Sequence, residues 1–246
     1  MTWDKDQTKH QQFQGNRLFG REKHMKYIIV DLEMNPIDKK YEMEREISKM
    51  EIIEIGAVVL DEAYQEIGSF KTLVKPEYND VIERKYERLT GISTKMVQEA
   101  PVFTRALHMF FSWCGSMGDE VEIFQWSDND YRQIWKEMEL KQVVLSPEEQ
   151  ELFRTWKDFQ EEYGKKLGVS SLLSLKNAIM YAGVDAEGTY HDALYDARNT
   201  AALFRTVRDP EACQKALGKV IRALKPEKKG TTLGDLFDFG SLEIPA

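Results

Sequence analysis

The stretch that decides the fold is Tyr27 to Glu33, Y-I-I-V-D-L-E. A short, β-branched, apolar run leads straight into two carboxylates, as in a strand buried on both faces. Side chains alternate along a strand, so Asp31 and Glu33 project the same way from its end. Two neighbouring carboxylates repel, and burying them is costly unless a cation sits between them. A hard divalent cation such as Mg²⁺ is the most economical partner, because it takes carboxylate oxygen. The competing account is a strand end that has run out into solvent, where acids are ordinary.

Outward from this stretch the pattern is α/β. Residues 34–50 are charged and broken by Pro36, a loop or short helix beside any site at the strand end. Glu51 to Leu60 and Glu66 to Val74 read as strands, and their short connections predict an antiparallel meander. Pro101 opens a helix with the apolar stripe Phe103, Leu107, Phe110 and Cys114. Asp119 to Trp126 reads as a fourth strand, with Ser127 or Asp128 capping the helix that follows. Helices are predicted over residues 148–163, 171–181 (with Gly183 as its C-cap), 192–207 and 211–224. The result is a single domain over residues 26–224, with a mixed sheet flanked by helices. Residues 1–25 form a polar arm, and residues 225–246 a hydrophilic linker and an apolar-acidic tail.

Composition narrows the class. The 246 residues are 42% apolar, enough for a sizeable core. A net charge of −8 neither points to nucleic acid nor excludes it, since an enzyme that grips a strand end needs few phosphate contacts. Cys114 and Cys213 lie in apolar-periodic segments and read as buried free thiols. No run approaches the roughly 18 apolar residues of a membrane helix. The first ten residues lack the apolar core of a signal peptide, so the cytoplasm is the expected compartment.

Two later clusters offer further carboxylates. In W-S-D-N-D-Y-R-Q-I, Trp126 to Ile134, both Asp128 and Asp130 sit at a strand-to-helix junction, where ligands of open α/β sheets gather. Asp128 has an ordinary competing role as a helix cap. In Y-H-D-A-L-Y-D-A-R-N, Tyr190 to Asn199, Asp192 and Asp196 are four apart on one helix face, next to His191. Spacing alone does not choose within either pair.

Taken together, D-L-E, W-S-D-N-D-Y-R and H-D-A-L-Y-D-A resemble the three exonuclease motifs of the DEDDh family, in the ribonuclease-H-like fold. The five-residue step from His191 to Asp196 matches the family's H-x-x-x-x-D, and Asp192 stands where the tyrosine variant carries Tyr. E-I-I-E-I-G-A-V (Glu51–Val58), L-T-G-I-S (Leu89–Ser93) and S-L-K-N-A (Ser174–Ala178) also match. Ser127 departs from the Gly often found after the Trp. The strand after a long loop is similar to the branch of sporulation-inhibitor (KapD-like) and small-RNA-trimming exonucleases.

The resemblance implies the acids Asp31, Glu33, Asp130 and Asp196, the general base His191, and two divalent cations, Mg²⁺ or Mn²⁺. It implies 3′-to-5′ hydrolysis of single-stranded RNA or DNA ends. Leu32 and Met34 would border the terminal nucleotide through their backbone, and Lys39, Lys40 and Arg45 are available for phosphates. Two alternatives compete: a regulatory protein that keeps the fold, and a proofreading subunit of a polymerase. L-G-D-L-F-D-F in the tail (Leu233–Phe239) has the character of a peptide that docks on a protein partner.

Overall fold

The apolar run around Val30 forms the central strand of a five-stranded sheet with order β3-β2-β1-β4-β5. The computed structural model describes residues 24–118, 120–168 and 173–224. The expected polar arm, apart from His24 and Met25, lies outside the described residues. So do the linker and tail, Asp119, Ser171 and Leu172.

β1 (Lys26–Pro36) runs three residues past Glu33, then α1 (Glu42–Ile47) leads into β2 (Met50–Leu60) and β3 (Glu66–Leu73). Both pairings are antiparallel, so the expected meander is present. Three helices follow: α2 (Arg84–Thr90), α3 (Thr94–Val97) and α4 (Phe103–Ser116). β4 (Val121–Gln125) then pairs with β1 in parallel. Next come α5 (Asn129–Leu140), α6 (Pro147–Arg154), β5 (Trp156–Asp158) and α7 (Phe159–Leu167). The described chain ends with α8 (Leu175–Ala182), α9 (Ala193–Arg208) and α10 (Pro210–Leu224).

Helices cover both faces of the sheet. On one face the whole predicted α4 stripe, Phe103, Leu107, Phe110 and Cys114, is buried with Ile28, Val30 and Leu32. On the other, Ile29, Val58 and Phe124 pack with Phe159, Tyr163, Ile179, Phe204 and Leu217. Alternate residues of β1 therefore serve opposite layers. Asp31 and Glu33 continue the row of Ile29, on the layer that includes α9. Both cysteines are buried and free.

The single helix expected over 148–163 is two helices with a strand between them. Ser146 opens α6 with a capping box closed by Glu149, and Asp158 starts α7 by accepting from the Glu161 N–H at 3.0 Å. Between them Trp156, Lys157 and Asp158 pair in parallel with Ile123, Phe124 and Gln125. The free edge of β4 offers backbone groups to an aromatic-rich segment, and pairing there outweighs helical continuation. The expected one-sided stripe divides accordingly: Leu152 and Trp156 serve one layer, Phe159 and Tyr163 the other. Ser174 caps α8, so that helix starts later than the sequence pattern suggested, while Gly183 closes it at φ 60°. No helix among the described residues is long and apolar enough to cross a membrane.

Candidate active site

The site depends on how closely α9 approaches the sheet. Asp31 pairs across the ladder with Gly56, and Glu33 with Glu54. A Cβ at Gly56 would lie 2.3 Å from the backbone of Ala193 and Leu194, so only glycine lets the first turn of α9 rest on β2. Glu54 then binds that turn directly, accepting from the Ala193 N–H at 3.0 Å. Lys71 of β3 bridges the same elements, 3.3 Å from Glu54 and 2.6 Å from Asp192. Asp192 also caps α9, accepting from the N–H groups of Leu194 and Tyr195. These contacts bring the start of α9 beside the end of β1.

Asp196, one turn into α9, faces inward and accepts from the His191 N–H at 2.8 Å. His191 itself sits at φ 67°, a left-handed conformation that histidine tolerates better than most residues. Its Nδ1 lies 3.9 Å from Glu33 Oε1. One ligand atom from each of Glu33, His191 and Asp196 falls within 4.8 Å of the others. The loop before His191 is clamped from both sides. Asn199 exchanges hydrogen bonds with the Glu187 backbone, and the Tyr195 ring occupies the space a side chain at Gly188 would need.

Asp31 and Asp130 border this group. Asp130 is buried in the first turn of α5, whose start is held by Gln125 accepting from the Tyr131 N–H at 2.7 Å. At the C-cap of α5, the Lys141 ammonium sits 3.0 Å from Glu51 and 2.7 Å from Glu137. Glu137 also accepts from the Ile52 N–H at 2.8 Å. This buried network ties α5 to β2 and fixes the direction from which Asp130 enters. Asp128, the expected cap, occupies the N-cap position but makes no capping bond and pairs with exposed Arg132. Within each acidic pair, Asp130 and Asp196 are buried, whereas Asp128 and Asp192 are partly exposed and paired with Arg132 and Lys71.

The electrostatics of the cluster oppose its own ionisation. Burial, then Asp130, Asp196, Glu33 and Glu54, raise the Asp31 carboxyl well above the usual range. Burial first, and Asp196, Glu54 and Asp130 next, push Glu33 up to about 8. Burial alone pushes Asp130 to about 8. Asp196 is raised too, mainly by burial, although the His191 N–H and the Asn199 side chain favour its charged form. Asp196 Oδ1 is buried without a hydrogen-bond partner. An all-carboxylate set beside an orphaned oxygen fits a hard divalent cation such as Mg²⁺ or Mn²⁺.

Leu32 packs into the core between the sheet and α4–α5, and Met34 lies partly buried against the same cluster. The ladder shifts register between Glu33 and Met34, leaving Ile53 as the extra residue of a bulge. Lys39 and Lys40 are exposed, whereas Arg45 is engaged with the Ile37 carbonyl. Sequence reasoning missed Glu54, Gly56 and Lys71. The E-I-I-E-I-G-A-V match covered the first two without indicating that they receive α9.

Four acids and a histidine thus lie near the end of the central strand, on a mixed sheet covered on both faces, and the sequence match places this domain among the nucleases. The chain belongs to the exonuclease family (RNase_T), whose profile matches residues 28–204 and so includes all five. A curated relative, ERI1 exoribonuclease 2 of Danio rerio, is 28% identical over 193 residues, 71% of this chain and 34% of its own length. The chain therefore spans about a third of that relative's length. The nuclease domain of 3′hExo, a DEDDh family member solved with rAMP, superposes with a TM-score of 0.65 at 21% identity. That alignment covers 77% of this chain and 94% of the other. Pop2p of S. pombe, in a Mg²⁺- and Mn²⁺-bound form, gives 0.55 at 19% identity, over 75% of this chain and 83% of its own. At these identities the likeness establishes the fold, a ribonuclease-H-like mixed sheet.

Proposed function

We propose that this domain is a metal-dependent 3′-to-5′ exonuclease acting on single-stranded RNA ends. The observation that carries the reading is the convergence of Asp31, Glu33, Asp130 and Asp196. Together they form a largely buried, mutually repelling set whose ordinary ionisation needs a cation. These four residues would hold two divalent ions, Mg²⁺ or Mn²⁺. Bound there, the ions would supply an activated water and offset charge building on the phosphate. His191, half exposed beside Glu33, would take the proton from the attacking water. The backbone around Leu32 and Met34 would border the terminal nucleotide.

The choice of RNA rests on the relatives: the curated one is named an exoribonuclease, and the 3′hExo nuclease domain was solved with rAMP. Placement in the branch with KapD-like and small-RNA-trimming enzymes belongs to the same proposal and rests on E-I-I-E-I-G-A-V after a long loop. A purely regulatory role has no use for a complete acid set with its histidine.

The test is degradation of end-labelled single-stranded RNA and DNA oligonucleotides with Mg²⁺ or Mn²⁺, with Asp31→Ala beside the wild type. The expected result is metal-dependent release of mononucleotides from the 3′ end, faster on RNA and absent in the folded variant. Wild-type rates in Asp31→Ala would refute the site, and preference for DNA would refute the substrate class.

A further inference from the structure

The outer face of α5 carries an aromatic and basic strip that the reaction above does not use. Trp135 is 55% exposed, unusual for a tryptophan in a well-packed domain. Its ring lies nearly parallel to Phe153 at 10°, and Tyr131 stacks on Phe153 with centroids 4.5 Å apart at 12°. Three rings thus share one orientation, held from below by buried Phe153 of α6. The shallow hollow at the surface is lined by Tyr131, Arg132, Trp135 and Lys136, so its charged groups are all cationic in a chain of net charge −8. Arg132 is engaged only with exposed Asp128, and Lys136 has no charged partner among the described residues. Exposed pairs of this kind are weak and give way to a better anion.

The strip begins at Tyr131, the residue that follows Asp130 in the first turn of α5. Trp135 follows about 6 Å further along the helix axis at 1.5 Å per residue. That is about the rise of two stacked nucleotides. Aromatic faces bracketed by cations bind single strands without reading sequence, because every base has a π face and every linkage a phosphate.

We propose that this face of α5 holds the single-stranded segment on the 5′ side of the bond being cut. Trp135 is the stacking platform, and Lys136 and Arg132 are the phosphate contacts. The proposal rests on the exonuclease reading and extends it from the terminal nucleotide to the strand behind it. The main competing occupant is protein. A groove of about 890 Å³ adjoins the strip, lined by Trp135, Val144, Leu145 and Phe153 among others, and could bury a second copy or a peptide. The cationic lining of the hollow, and its start on the residue after Asp130, favour nucleic acid.

The experiment measures kcat and KM on oligoadenylate RNA of increasing length, from the dinucleotide upward. It compares wild type, Trp135→Ala and Lys136→Ala, each checked for folding by circular dichroism. In the wild type kcat/KM rises with length. In Trp135→Ala most of that rise is lost through KM, by roughly tenfold, the loss expected for removing one base-stacking contact. Lys136→Ala weakens binding at low salt and reduces the salt slope by about 1. A length dependence equal to wild type in both variants overturns the proposal. So does a Trp135→Ala variant that changes oligomeric state by light scattering, which would assign the strip to a contact between copies. Fluorescence anisotropy of a labelled oligoadenylate, without divalent ions, separates this from the exonuclease reading. If the wild type cuts nothing, the exonuclease reading fails; unequal binding by the two proteins still supports the strip, and equal binding removes it.

Discussion

Replacing Glu33 with Gln should stabilise the metal-free protein, although Glu33 lies in the proposed centre. The carboxyl is 7% exposed and pushed up to about 8 from an ordinary 4.5. Between those values the folded protein keeps a proton that the unfolded chain has released. The native state then binds more protons, and stability falls as pH rises from 4.5 towards 8. At pH 7 the window above 4.5 spans about 2.5 pH units, and 1.36 kcal/mol per unit puts the penalty at about 3 kcal/mol. Gln carries no such penalty. A domain of this size gains about 2–4 °C in Tm per kcal/mol, so the variant should melt about 6–12 °C higher near pH 7 in EDTA. Near pH 5 the advantage should shrink to about 1 kcal/mol, because only about half a pH unit then separates the solution from the ordinary value of 4.5. Excess Mg²⁺ should raise the Tm of the wild type more than that of the variant and narrow or reverse the order. Thermal denaturation by circular dichroism at the two pH values, with EDTA and then Mg²⁺, measures all of this. A variant that melts at or below the wild type in EDTA at both pH values would refute the account of a strained, cation-seeking cluster.

Three further substitutions probe the parts around it. His191→Ala should lower the hydrolytic rate by about 10²–10⁴, while the Mg²⁺-induced rise in Tm survives; an unchanged rate would remove it as the base. Gly56→Ala would place a methyl 2.3 Å from the Ala193 backbone, so urea unfolding should show a loss of at least about 2 kcal/mol, with reduced activity in the protein that still folds. Lys71→Met leaves Glu54 and Asp192 without their shared cation and should cost about 1–2 kcal/mol at neutral pH, a figure reduced for the partial exposure of the lysine. That cost should fade at low pH as Glu54, whose carboxyl burial raises above its ordinary range, takes up a proton, and urea titrations at both pH values would show it.

What was legible in the sequence was local. Y-I-I-V-D-L-E announced a buried strand ending in acids, and the α4 stripe from Phe103 to Cys114 announced the layer that covers it. The order of strands and helices gave the mixed sheet. Choosing Asp130 over Asp128 and Asp196 over Asp192 required the family resemblance, because helical spacing permits either member of each pair. In the structure Asp192 pairs with Lys71 and Asp128 with Arg132, while Asp130 and Asp196 are buried. β5 was missed because a three-residue strand has no period of its own and exists through pairing with β4. The start signals at Ser146 and Asp158 were present in the sequence, eleven residues into the supposed helix in the second case.

Glu54, Gly56 and Lys71 illustrate a different limit. Nothing in E-I-I-E-I-G-A-V states that a helix 137 positions later, at Ala193, will rest on Gly56. Yet that contact decides where Asp196 lies relative to the strand, because Asp31 and Glu33 sit on one rigid strand while Asp130 and Asp196 arrive on separate helices. Each helix is held independently. α9 is fixed by Gly56, Glu54 and Lys71, and α5 by Gln125 and the network of Lys141, Glu51 and Glu137. Mutual repulsion drives the acids apart, and these anchors oppose it before any cation binds. A substitution that loosens one anchor should therefore displace one acid and leave the others in place. Metal affinity should fall more than stability does, which distinguishes loss of an anchor from general unfolding.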